Sequence, residues 1–181
     1  MLVLHEGLIP SSNLKDKYKV VLLNSNTDIN TFNNIFNKGL ELLKYNPNSL
    51  PFITKYSDKT TAYRFLLEVT KGNIPEYGII VVFKSDDLNP VGASLVSWGR
   101  PWYAPTGILV INEECTVALK RGVGIARILS FVLEKYASEN KDFKLVMFSN
   151  ANLPNRKMLE NTYEKHLGYS SYKTFYKEVN T

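Results

Sequence analysis

The chain has little of the chemistry that forms disulfides or binds metals. Its 181 residues include one cysteine, Cys115, and two histidines, His5 and His166. A single cysteine excludes an internal disulfide, and two isolated histidines give no spacing at which a zinc site closes. The sequence therefore predicts neither a disulfide framework nor a resident metal.

Long apolar stretches are missing too. No apolar run reaches the roughly 18 residues that a membrane span needs, and the first ten residues, MLVLHEGLIP, have neither a basic start nor a small-residue cleavage site. We therefore expect a cytoplasmic protein with no membrane partner. Repeats, low-complexity tracts and linkers are absent, and the length suits one well-buried core. We expect a single domain over residues 1–181.

The charge is unbalanced. Lys and Arg number 22 against 17 Asp and Glu, which gives a net charge of +5. Such an excess favours an anionic partner, which includes a phosphorylated cofactor, an acidic protein and nucleic acid. The basic residues are scattered without a run of five or six, so most of them fit an ordinary solvated surface.

Apolar spacing predicts an α/β fold with the element order β-α-α-β-β-β-α-β-α-β. Hairpins between successive strands make antiparallel pairs, and the crossover through the third helix makes one parallel pair. The result is a mixed, mostly antiparallel sheet flanked by helices. Strands are predicted over residues 17–25, 77–85, 91–99, 105–119, 143–150 and 171–179, and helices over 27–45, 61–72, 120–139 and 155–168.

The stretch KRGVGIARIL, residues 120–129, lies between the two predicted parallel strands. Gly122 and Gly124 allow positive φ, so the N–H groups of residues 122–126 can converge at a helix start. Free amides and the positive end of the helix dipole make that point an anion site, and a pyrophosphate fits it. A tight turn that needs glycine only for close packing is the alternative. Three cations flank the point: Lys120, Arg121 and Arg127.

RGVGIA, Arg121–Ala126, resembles the R/Q-x-x-G-x-G/A signature of the GCN5-related N-acetyltransferases (GNAT). In that family the stretch holds the pyrophosphate of acetyl-coenzyme A (acetyl-CoA). The element order over residues 17–179 is similar to the family fold, and the later YEKHLGY resembles its Tyr-Glu-Lys-Leu-Gly-Phe stretch. The resemblance implies a GNAT-like sheet whose parallel strand pair is splayed, with acetyl-CoA as co-substrate.

The resemblance also implies where the cofactor is held. The pantetheine arm would pair with exposed main chain of residues 116–119 as an extra strand does. Asn155, which opens the last helix, fits the family's asparagine and equally fits an ordinary helix cap. The implied cofactor contacts are Val117, Ala118, Leu119, Arg121, Gly122, Val123, Gly124, Ile125, Ala126 and Asn155.

Such a site supports direct attack of an amine on the thioester. An alkyl ammonium has a pKa of about 10.4, so it must first lose a proton to a carboxylate or to a water that the carboxylate holds. Glu113 and Glu114 are the nearest acids in the sequence, and either can instead be a turn or surface residue. A main-chain N–H near Val117 or Ala118 would stabilise the developing oxyanion.

By resemblance, Tyr163 in the last helix would protonate the departing thiolate. YEKHLGY contains one residue more than the family pattern, His166, which places Tyr163 one position further from Gly168. One position is about 100° around an α-helix. Unless a bulge absorbs this rotation, Tyr163 faces the core.

The resemblance therefore implies an N-acetyltransferase acting on a primary amine of a small molecule or a protein, with a homodimer possible. One alternative is a GNAT toxin that acetylates aminoacyl-tRNA, for which Tyr172, Lys173, Tyr176 and Lys177 would form an RNA-binding face. Another is a binding module without turnover, which the displaced Tyr163 favours. Trp98, Trp102 and Tyr103 line an acceptor pocket, belong to the buried core or anchor loops.

Overall fold

The computed structural model describes residues 1–10, 14–44, 58–85, 89–100, 109–120, 123–140, 143–148 and 160–170. Six strands form one sheet in the order in which they follow along the chain. The first five are joined by antiparallel pairs, and the fifth and sixth are parallel. The strands are β1 (Leu2–Leu8), β2 (Lys17–Leu22), β3 (Tyr77–Lys84), β4 (Pro90–Gly99), β5 (Leu109–Ala118) and β6 (Phe143–Phe148).

In the part of the chain that the structure describes, three α-helices and one π-turn accompany the sheet: α1 (Ile29–Lys44), α2 (Lys59–Lys71), α3 (Ile125–Glu139) and the π-turn (Thr162–His166). The Asp28 carboxylate caps α1 by accepting a hydrogen bond from the Thr31 N–H at 2.9 Å. Gly72 ends α2 in the left-handed conformation with φ 82°.

Helices α1 and α2 cover one face of the sheet. Their Phe32, Phe36 and Val69 pack with Val21 and Val81 of the strands. Because side chains alternate along a strand, neighbours of these valines point to the other face. The sheet therefore has an apolar core on each side.

Helix α3 covers the opposite face with its predicted apolar side. Ile128, Leu129 and Val132 are at most 1% exposed, and burying each contributes about 1.5–3 kcal/mol. The helix approaches β4 closely, because a Cβ built on Gly92 would lie 2.6 Å from Cδ1 of Ile125. Glycine at that position thus fixes how near the start of α3 lies to the sheet.

The first strand, β1, is absent from the sequence prediction. Its apolar residues do not alternate with polar ones in a regular way, and most of the strand is exposed or half-buried. Leu4 is an extra residue in its pairing with β2, which breaks the two-residue period on which strand prediction rests. Within the described ranges, no helix is long and apolar enough to cross a membrane.

Strands β5 and β6 make the parallel pair that the helix crossover predicts. Their pairing runs from Leu109, opposite Phe143, to Glu113, opposite Phe148. Strand β5 continues beyond Glu113 to Ala118. The divergence of the two strands that the resemblance implies would fall after Glu113 and Phe148, and residues 149–159 lie outside the described residues. The predicted closing strand over 171–179 lies outside them too.

Candidate active site

Helix α3 begins at a glycine-led turn directly after β5. Gly124 is exposed and has φ 73° and ψ 37°, the left-handed region that favours glycine. The first bonds of the helix are donated by Arg127 and Ile128 to the Gly124 carbonyl, at 3.0 and 3.2 Å. The N–H groups of Ile125 and Ala126 precede these donors, and Gly124, at the cap position, has no side chain that could bond them. The exposed start of α3 is therefore electropositive.

The main chain on either side of this turn is firmly attached. The N–H groups of Leu119 and Lys120 both donate to the Val91 carbonyl of β4, at 3.0 and 3.1 Å. Val123 is 6% exposed and belongs to the core under α3. Gly124 thus presents main chain to solvent between two fixed points. Arg121 and Gly122, two of the predicted cofactor contacts, lie outside the described residues.

The segment before β2 lies beside the same turn. A Cβ built on Gly124 would lie 3.2 Å from Cδ2 of Leu14, so this leucine covers one side of the turn. Asp16 pairs with Lys84 at 2.5 Å. The hydrogen bond from Lys84 holds the pKa of Asp16 below its usual value, and the charge of Lys120 acts in the same direction. An anion at Gly124 would therefore have Lys120 nearby and an apolar wall on one side.

At its middle, β5 contains one residue more than β4. Leu95 lies opposite Cys115 and Val96 lies opposite Glu113, which leaves Glu114 as the extra residue of a β-bulge. Glu113 therefore shares the α3 face with Val96, whose side chain belongs to that core. A bulge of this kind gives two consecutive carboxylates different surroundings.

Glu114 is exposed and points to the other face of the sheet. Its carboxylate accepts hydrogen bonds from the Ser97 hydroxyl and from the Asn112 amide, the latter at 2.9 Å. These two donors orient the group without burying it. A carboxylate held in this way is open to a ligand that approaches from solvent.

Glu113, in contrast, is 3% exposed and lies near Tyr163. Burial raises the pKa of the Tyr163 hydroxyl above its ordinary value, and the charge of Glu113 raises it further. The phenol therefore stays protonated throughout the physiological range. Tyr163 has the protonation state of a proton donor.

The extra residue His166 is accommodated by the π-turn. The Leu167 N–H donates to the Thr162 carbonyl at 3.1 Å, five residues back instead of the four of an α-helix. A turn that is one residue wider absorbs the insertion, and Tyr163 lies beside Glu113. A one-residue bulge, the condition stated above for Tyr163, is present in this turn.

A polar cluster fixes the end of this turn on α3. The Tyr169 hydroxyl and the Ser130 hydroxyl each donate to Oε1 of Glu134 at 2.6 Å, and the two hydroxyl oxygens are 3.0 Å apart. The Tyr169 ring meets the Tyr163 ring edge-on, with centroids 5.6 Å apart. Sequence reasoning missed this cluster. The available signal was Tyr169 itself, which stands where the family pattern has phenylalanine.

Beyond the bulge, the remaining part of β5 exposes small side chains. Thr116 and Ala118 are exposed, and the Thr116 hydroxyl donates to that of the buried Ser94 at 2.9 Å. From Glu113 to Leu119 the strand spans about 20 Å. This part of β5 connects the carboxylates and Tyr163 at one end with the electropositive turn at the other.

Of the remaining candidate residues named from the sequence, Trp98 lies within the described part of the chain. Trp98 anchors a loop, because its Nε1 donates to the Pro75 carbonyl at 2.6 Å and its ring lies against Gly78. Loop anchoring is one of the three roles that the sequence allows. Asn155, Trp102 and Tyr103 lie outside the described residues.

Comparison with solved structures shows that the chain has the GNAT fold. A GNAT family acetyltransferase from Staphylococcus aureus matches with a TM-score of 0.59 and 16% identity, over 90% of this chain and 98% of the other. A ribosomal-protein-alanine N-acetyltransferase from Brucella melitensis matches with a TM-score of 0.58 and 16% identity, over 88% and 99%.

Another match is an aminoglycoside acetyltransferase from an uncultured soil metagenomic sample, whose structure contains sisomicin. Its TM-score is 0.56 and its identity 15%, over 90% of this chain and 97% of the other. No protein-family model and no curated protein sequence matches the chain. At these identities the comparisons establish the fold.

Proposed function

We propose that the chain is an N-acetyltransferase that moves an acetyl group from acetyl-CoA to a primary amine. One observation carries the proposal, namely the exposed, uncapped start of α3 at Gly124, directly after β5 in a GNAT fold. Main-chain amides at such a point bind phosphate groups. The structures to which the chain is similar are acetyltransferases, which supports the same chemistry here.

The residues present fit acetyl-CoA. The diphosphate would lie at the main chain of residues 122–126, with Lys120 and Arg121 adding positive charge. The pantetheine arm would pair with the edge of β5 at residues 116–119, where we propose that β5 and β6 diverge. The small exposed side chains of Thr116 and Ala118 leave that edge accessible. Asn155 would contribute from the last helix.

The thioester supplies an acetyl group that is already activated. Glu114, or a water molecule that it holds, accepts the proton of the incoming ammonium, because Glu114 is the exposed carboxylate at the bulge. The N–H of Val117 or Ala118 donates to the acetyl oxygen as negative charge develops there. Tyr163 gives its proton to the departing sulfur and is reprotonated by the second proton that the nitrogen loses as the amide forms. Glu113 helps to keep that proton on Tyr163.

The alternative is a binding module without turnover, which a Tyr163 rotated away from the site would favour. The π-turn, which accommodates one extra residue, instead supports a Tyr163 held towards Glu113. The RNA-binding face proposed at Tyr172 to Lys177 lies outside the described residues. An aminoglycoside and a ribosomal-protein alanine, named for two similar structures, both present an amine. A small-molecule or protein amine is the acceptor we propose.

The test of this function is the substitution Gly124→Glu. A carboxylate at the start of α3 would occupy the phosphate position and repel it, so calorimetric titration with CoA should show at least about a hundredfold loss of affinity. Gly72→Glu is the matched control, because Gly72 has a similar φ of 82° but ends α2. Both variants carry a left-handed strain of about 1–2 kcal/mol, and Gly124→Glu adds a contact between its Cβ and Leu14 that Gly72→Glu lacks.

The control should keep CoA affinity while losing similar stability in urea unfolding. Equal CoA affinity in Gly124→Glu and wild type would refute the phosphate site. A wild-type protein that takes up CoA but acetylates no amine in a broad panel would refute the transferase and leave only a CoA-binding protein.

A further inference from the structure

The segment after the π-turn is attached to α3 through side-chain hydrogen bonds of Tyr169. Tyr169, Glu134 and Ser130 satisfy one another's hydrogen bonds, and Ser130 is 1% exposed. Ser130 is buried and Glu134 is exposed, so the two hydroxyls share a carboxylate oxygen at the surface of α3, which holds Tyr169 next to the helix. The position of the Tyr169 ring on α3 is therefore fixed.

Tyr169 is in turn connected to Tyr163 twice. Its N–H donates to the Tyr163 carbonyl at 2.9 Å, and its ring meets the Tyr163 ring at 81°. Edge-to-face pairs of aromatic rings have a preferred geometry, so one ring orients the other. Main chain and side chain thus transmit the same constraint from α3 to Tyr163.

The π-turn makes such a constraint necessary. π-turns are rare, and returning to α-helical bonding would rotate residues on either side of the turn by about 100° relative to each other. Tyr163 lies inside the turn, and Gly168 and Tyr169 follow its end. Fixing Tyr169 on α3 opposes that rotation.

We infer that Tyr169 is a positioning residue for Tyr163, acting through the Glu134 and Ser130 contacts on α3. The inference rests on the proposed function, in which Tyr163 donates the proton. Tyr169 itself contacts neither reactant in this proposal. Its role is to hold the phenol of Tyr163 where the sulfur leaves.

The kinetic test is a double-mutant cycle. Tyr163→Phe should slow acetyl transfer with little change in CoA affinity. Tyr169→Phe keeps the ring and removes one oxygen, and we expect it to lower kcat about tenfold with an unchanged KM for acetyl-CoA. In the Tyr163→Phe background the same change should have no further effect, because residues that act through one another are non-additive.

A second measurement does not depend on turnover. The ring resonances of Tyr163, followed by ¹H–¹³C NMR of the free protein, should shift or broaden in Tyr169→Phe and in Glu134→Leu. Glu134→Gln should preserve them together with kcat, since a glutamine oxygen still accepts the Tyr169 hydrogen bond. Tyr136→Phe, which changes the tyrosine of α3 itself, packed on Phe143, is the control and should leave them unchanged.

An unchanged kcat in Tyr169→Phe overturns the inference, whatever the spectra show. So does an equal loss of kcat with and without the Tyr163 hydroxyl, because Tyr169 would then act by another route. If the wild type transfers no acetyl group, the proposed function fails, and the resonances alone decide whether Tyr169 holds Tyr163. Unmoved resonances in both Tyr169→Phe and Glu134→Leu then overturn it.

Discussion

Glu113 and Glu114 are adjacent in sequence, yet their surroundings differ because one residue of β5 has no partner in β4. Glu113 is buried beside Tyr163, where its charge opposes ionisation of the phenol. Glu114 is exposed and oriented by Ser97 and Asn112. The sequence offers both as general bases, and the geometry favours Glu114 for contact with an acceptor.

Replacement of Glu114 by glutamine tests that assignment. We expect Glu114→Gln to lower kcat about a hundredfold, the usual contribution of a general base, with CoA affinity unchanged because the phosphate position lies at the other end of β5. Steady-state kinetics and CoA titration measure the two effects. Glu164→Gln, an exposed change next to Tyr163, is the control. Full activity in Glu114→Gln together with its loss in Glu113→Gln would assign the base to Glu113.

At the scale of elements, the π-turn compensates for a difference in length. The family pattern spaces its tyrosine four residues from glycine, whereas here Tyr163 and Gly168 are five apart. The hydrogen bond from Leu167 to Thr162 takes up the added residue. The turn should therefore tolerate removal of that residue better than a further addition.

Deletion of His166 is the corresponding experiment. With His166 removed, an α-helical turn has the right length for Tyr163 to keep its place, so kcat should remain of the same order as in the wild type. Insertion of an alanine after Lys165 leaves a residue that a single π-turn does not absorb, and we expect kcat to fall about a hundredfold. Equal activity of all three proteins would show that Tyr163 needs no fixed position.

Sequence patterns predict those elements whose burial is periodic. Helix α3 is predicted with its buried face because Ile128, Leu129 and Val132 follow a helical period. Strand β1 and the bulge at Glu114 are not, since each depends on one unpaired residue that breaks the two-residue period. The only sequence signal for the π-turn is the number of residues between Tyr163 and Gly168. Packing against α3 decides whether the Leu167 N–H bonds to a carbonyl four or five residues back.

Over the whole molecule, tyrosine ionisation links stability to alkaline pH. Burial first, and then neighbouring carboxylates, raise the pKa of Tyr163 and of Tyr169 above the ordinary value. An unfolded phenol ionises near pH 10, while the folded chain keeps these two protonated beyond it. The stabilisation is therefore complete below about pH 10 and is lost as the pH rises further.

We expect the free energy of unfolding to fall above pH 10 by up to about 1.4 kcal/mol per pH unit for each such phenol. Urea unfolding of the wild type and of Tyr163→Phe between pH 8 and pH 11 measures the slope. The variant should lose stability less steeply, because it has one proton fewer to release on unfolding. Parallel curves would mean that Tyr163 ionises at the same pH in both states.

The exposed outer strand of the sheet has a consequence for how separate molecules meet. Leu2, Val3 and Leu8 of β1 are 51%, 47% and 54% exposed, and no strand lies on the outer side of β1 within the described ranges. An exposed apolar edge strand of this kind can pair with the same strand of another copy, which leads to aggregation. Leu4, the extra residue of the strand, interrupts the regular spacing of main-chain donors and acceptors that such pairing requires. The bulge at Leu4 therefore opposes edge-to-edge pairing between copies at high protein concentration.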